Sequence, residues 1–135
     1  MTPAAFPVFA LVLALCACAT APEAAPADPR ATLAGAWTVD LSSEPGQPYT
    51  KPMTLTLKAD GTVTGDFYES EILAGRWKTD RGRTCVSFRT TDGVGPYHTA
   101  ACLVVDSRGV DRVEGQTWAE GRSFVFNWNA VRAAP

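Results

Sequence analysis

Four cysteines (Cys16, Cys18, Cys85 and Cys102) and one histidine, His98, are the residues of this 135-residue chain that lend themselves most directly to chemistry. A hydroxyl or thiol nucleophile needs a base within hydrogen-bond reach, and no serine or cysteine here has an identifiable one beside it. His98 falls in an alternating run, across from Arg89 in the register worked out below. It is either a base or an anion-binding partner of that arginine, or one of two ordinary solvated strand residues. Asp66, Glu69 and Glu71 gather near a hairpin end, and a charged turn is usually only a solvated turn. These residues argue against an enzyme and place the weight on where the cysteines sit.

Cys16 and Cys18 end an uncharged apolar stretch, Phe6 to Leu15, that is too short to cross a bilayer as a permanent helix of roughly 20 residues. It has the length of a signal-peptide core, although no lysine or arginine precedes it. Leu15-Cys16-Ala17-Cys18 resembles the bacterial lipobox, at which a leader is cut and the new terminal cysteine acylated. The resemblance implies a leader over 1–17 and a lipid on Cys18. Ala19 follows instead of the aspartate that retains such proteins in the inner membrane, which implies a periplasm-facing anchor in the outer membrane. The alternative is that both cysteines leave with a discarded leader. Residues 18–32 are Ala/Pro-rich, the composition of a semi-extended spacer.

With Cys16 removed and Cys18 lipidated, Cys85 and Cys102 remain as a disulfide pair in an oxidising compartment. Those two sulfurs and His98 offer at most three ligands without the spacing of a structural zinc site, so no metal or other cofactor is expected. A hydrophobic content of 46% with 19% charged residues suits one globular core. The net charge of −2 and a pI near 5.3 supply no basic footprint for nucleic acid.

From Leu33 onward there is no helical period, and short alternating runs are separated by glycine-containing turns. The pattern predicts strands over 34–41, 53–58, 62–68, 72–79, 84–90, 97–105, 111–118 and 123–131. Eight strands with short links predict an all-β fold, an antiparallel up-and-down β-barrel over 33–132. Cross-strand partners must share a face. Leu57 therefore pairs with Val63 and Met53 with Phe67 around Ala59-Asp60-Gly61, with Gly61 in the left-handed place of a three-residue loop. A four-residue loop at Asp80–Arg83 pairs Trp77 with Val86. A two-residue Glu120-Gly121 turn pairs Thr117 with Phe124 and Val113 with Trp128. Pairing Phe88 with Thr99 sets Cys85 directly against Cys102 on the outside. Leu73, Gly75, Trp77, Gly65 and Gly115 fall on the inward face.

Leu33-Ala34-Gly35-Ala36-Trp37 resembles the G-x-W opening of lipocalin and avidin-type barrels, the calycin group, and the runs 58–70 and 73–79 are similar to early strands of avidin-type proteins. The resemblance implies a small barrel with Trp37 packed across its base; biotin binding is not carried over. Two functions follow. In one, the open end binds a small apolar or amphipathic ligand, with Trp37, Trp77, Phe88, Phe126 and Trp128 as wall residues. In the other, a filled barrel contacts a protein through its loops, as a periplasmic protease inhibitor would, with Tyr49, Tyr68 and Tyr97 as anchors.

Overall fold

The computed structural model describes residues 1, 21–22 and 27–135; Cys16, Cys18 and the leader expected over 1–17, apart from Met1, lie outside the described residues. The alternating runs form β1 (Gly35–Asp40), β2 (Thr50–Leu57), β3 (Thr62–Phe67), the two-residue β4 (Ser70–Glu71), β5 (Leu73–Asp80), β6 (Arg83–Thr91), β7 (Pro96–Val105), β8 (Asp111–Ala119) and β9 (Phe124–Arg132). β4 and β5 run on as one stave beside β3, so the sheet has eight staves, each antiparallel to the next in sequence. β9 returns to β1, with Trp37 opposite Arg132 and Asp40 opposite Asn129. The sheet thereby closes into an up-and-down barrel without a free edge.

Most of the expected register is present. Leu57 faces Val63, Met53 faces Phe67, Trp77 faces Val86 and Phe88 faces Thr99. Gly61 sits at φ +89° and donates its N–H to the Lys58 carbonyl. Cys85 and Cys102 are direct cross-strand partners joined by a disulfide, their Cα atoms 4.0 Å apart. The bridge is on the outer face, since the flanking Thr84 and Val86 are buried inward.

Three details differ from the sequence expectation. The β5–β6 ladder runs one pair further, to Asp80 opposite Arg83, leaving a two-residue Arg81-Gly82 turn with both residues at positive φ. In β5, Ala74 adopts φ +52° and the register shifts between Leu73 and Arg76. This bulge turns Leu73 outward opposite Arg89 and brings Ile72 into the core instead. The β8–β9 hairpin is slipped by two residues: Thr117 faces Phe126, Gly115 faces Trp128 and Val113 faces Ala130, around a four-residue Glu120–Ser123 loop. The slip lays the Trp128 indole over Gly115, where a Cβ would come within 2.3 Å of the ring. It also lets Trp128 Nε1 donate to Thr117 Oγ1 at 2.9 Å.

One end of the barrel is sealed. A five-residue helix, α1 (Pro29–Leu33), starts with Pro29 after Asp28, whose carboxylate accepts the Arg30 N–H, and all of it but Leu33 lies within the stretch expected as spacer. Leu33 is fully buried, and its carbonyl accepts the Trp37 indole N–H at 2.9 Å. Arg132 lies over the Trp37 ring, 3.9 Å from its centroid, and donates to the carbonyls of Ala34 and Thr32. Gly35 makes this possible: its φ is +111°, and any side chain would begin 3.1 Å from the Arg132 guanidinium.

Candidate functional site

The opposite end is open. The links between β1 and β2, β3 and β4, β6 and β7, and β8 and β9 surround a cup of about 320 Å³. Its floor is Phe67, which packs at a tilt against Trp128 and Phe88 one layer deeper, with ring centroids 5.2 and 5.5 Å away. Thr117 completes the floor, buried and bonded to both Thr99 and Trp128. The wall is aromatic. Phe124 and Phe126 lean together at 5.7 Å on one side, and Tyr97 rises beside them on a row that pairs with Thr90 and Ala119.

Tyr49 and Tyr68 close the other side. Their rings meet edge to face at 6.2 Å and their hydroxyls are hydrogen-bonded. Tyr68 and its neighbour Glu69 both occupy left-handed conformations, at φ +53° and +63°, in the two-residue turn between β3 and β4. That turn normally calls for glycine or asparagine. The hydrogen bond to Tyr49, followed by burial, pushes the Tyr68 phenol up to about 12. Lys51 reaches over both rings, 5.1 Å from the Tyr68 centroid and 5.9 Å from that of Tyr49, and pairs with Glu69 at 3.4 Å.

A second ion pair borders the cup on the other side. Asp92 accepts the Tyr97 hydroxyl at 2.6 Å, the Val94 N–H at 3.0 Å and an Arg122 N–H at 3.1 Å. The Tyr97 hydroxyl and then the Val94 amide hold the Asp92 carboxyl below its ordinary value, and the same carboxylate raises the Tyr97 phenol. The cup thus combines stacking surface, hydroxyls and one half-exposed guanidinium. That combination suits binding.

Of the residues expected as walls, Phe126 lines the cup, while Phe88 and Trp128 lie one layer below it. Trp37 is at the sealed base, and Trp77 is half-buried near it, donating its indole N–H to the Lys58 carbonyl at 2.6 Å. The three tyrosines considered as protein-contact anchors all line the cup. Parity was the available signal for two of them: Tyr49 continues the row of Met53 and Leu55, and Tyr97 the row of Thr99 and Ala101. Phe124 is on the inward face as expected, but the slip moves it from opposite Thr117 to opposite Ala119, at the mouth; Arg122, in the loop, was missed. His98 is on the outer face opposite Arg89, stacked on Trp118 at 5.3 Å with Nε2 3.0 Å from a Glu120 oxygen. Gly65 and Gly75 are pressed against the Thr54 and Val63 backbones, which leaves no room there for a side chain. Compared with known proteins, the chain matches no family model, no curated protein and no solved structure.

Proposed function

We propose that this barrel is a ligand-binding lipoprotein, anchored through Cys18 to the periplasmic face of a bacterial outer membrane, that takes a small apolar or amphipathic molecule into the aromatic cup. The observation that carries the reading is the cup itself: rings partly exposed around a cavity of about 320 Å³, at the low end of the range of small-molecule sites. The lipobox-like Leu15–Cys18 and the G-A-W of residues 35–37 support the anchor and the calycin-like character. The geometry also suits a tether. The chain leading into Asp28 joins the barrel at its sealed base, so a membrane anchor would leave the mouth unobstructed.

A second reading, a barrel that grips a protein such as a protease through its loops, draws on one observation. Trp118 and Val125 are cross-strand neighbours on the outer face near the mouth, 47% and 54% exposed. Native mass spectrometry of the full chain recovered from bacterial membranes in mild detergent separates the two. Ligand binding with anchoring yields an acylated chain carrying the extra mass of a small molecule. A chain without acyl mass removes the anchor, and one that is bare and fails to take up any apolar probe removes the ligand reading in favour of the protein partner.

A further inference from the structure

We infer that the cup selects a compact ring-bearing acid, its flat body against Phe67 and Phe126 and its anionic head on Arg122. The inference rests on the ligand-binding reading above and adds the chemical class of the ligand.

The polar groups at the mouth differ in what they still lack. Both Asp92 oxygens are engaged: Oδ1 accepts the Val94 N–H, and Oδ2 accepts Tyr97 and Arg122. A carboxylate so occupied has little left to offer a donor. Arg122 is the opposite case. Of its five N–H donors, one is bonded to Asp92 at 3.1 Å, and the side chain is 47% exposed at the cup. Asp92 therefore orients the guanidinium while leaving most of its fork free, and a planar fork matches a carboxylate.

A cationic ligand is the natural rival, because tyrosines around a cup can form an aromatic cage. Here the protein's own cations already lie over those rings. Lys51 is over Tyr49 and Tyr68, and the Arg122 guanidinium is 5.9 Å from the Tyr97 centroid. A ligand cation would meet two like charges, and Asp92, the carboxylate that lines the cup, is already engaged, whereas an anion meets Arg122 directly. The body of the ligand follows from size and lining. About 320 Å³ floored and walled by rings favours a compact planar group that can stack over a long chain.

The test compares three molecules that share one ring system: 2-naphthoate, 2-naphthalenemethanol and 2-naphthylmethylammonium. Each is titrated calorimetrically into the full chain and into Arg122→Gln at low ionic strength. The expected result is that naphthoate binds about tenfold more tightly than the alcohol and the ammonium binds least, with the naphthoate advantage shrinking as salt is added. Arg122→Gln should bring naphthoate to within about twofold of the alcohol and leave the alcohol unchanged; Arg122 is on a surface turn, and an unaltered melting temperature confirms an intact fold. Phe126→Ala should weaken all three together. Equal affinity for the three, or preference for the ammonium, overturns the acid while leaving the cup standing. Failure of all three to bind overturns the cup and the acid with it.

Discussion

The two ends of this barrel use aromatic residues in opposite ways. At the base, Trp37 is 1% exposed, its N–H is bonded to Leu33 and one face is covered by Arg132. At the mouth, Tyr49, Tyr68 and Phe124 keep between 39% and 47% of their surface in contact with solvent, although an eight-stave barrel could have been filled to the rim. Both ends hold residues at positive φ: Gly35, which tolerates it, and Arg81 at the base, Tyr68 and Glu69 in the mouth turn. Left-handed conformations of residues with side chains cost on the order of 1 kcal/mol or more each. Exposed rings at one end, against sealed packing at the other, mark the base as the stabilising pole and the mouth as the candidate site.

Truncating one ring at each pole tests this contrast most directly. Trp37→Ala removes a buried indole and leaves the Leu33 carbonyl and Arg132 without their partner, so unfolding free energy should fall by about 3–5 kcal/mol. Phe126→Ala opens an already open cup, and the loss should stay below about 2 kcal/mol, the half-buried share of a phenylalanine. Urea denaturation with matched m-values measures both. Equal losses would show that the mouth is as much a part of the core as the base.

Between the poles lies the Trp128 layer, and Gly115 shows which pole it belongs to. An alanine Cβ at position 115 would sit 2.3 Å from the indole. If the layer is packed like the base, Gly115→Ala costs about 1–3 kcal/mol through forced repacking. A change under about 0.5 kcal/mol with an altered near-ultraviolet dichroism of Trp128 would mean that the ring swings aside. The cup would then have a movable floor.

How much of this was legible in the sequence depends on the range of the signal. Alternation of apolar residues and local turn chemistry placed all eight staves, and register arithmetic brought Cys85 to Cys102, because a one-residue error would have turned a whole strand inside out. A two-residue slip carries no such penalty. It preserves every face, so the pattern of 123–131 could not separate Thr117–Phe124 from Thr117–Phe126. The choice is made by a contact between strands, Trp128 over Gly115 and on Thr117. The Ala74 bulge is hidden for a related reason: alanine gives no sign of a left-handed backbone. The mouth was legible least. Period puts Tyr49 and Tyr97 on inward rows, but Tyr68 and Arg122 stand in turns, where neither period nor turn type specifies direction.

The finest contrast between the poles is one proton. Tyr68 is held up to about 12, against an ordinary 10.0, first by the Tyr49 hydroxyl and then by burial. A phenol whose value is raised in the folded chain favours its neutral form there. Its contribution is complete below pH 10 and disappears as pH rises through about 12. Tyr49→Phe removes the first cause and retains the ring. In an ultraviolet difference titration, one phenol should then return most of the way toward 10, while Tyr97, raised by Asp92, keeps its place. If Tyr68 still titrates near 12 in that variant, burial is the larger cause and the mouth is as closed as the base. If it moves, the hydroxyl pair is what holds Tyr68 over the cup against its backbone strain, and the mouth is ordered by polar contacts that a ligand can replace, unlike the base, which is ordered by packing that nothing enters.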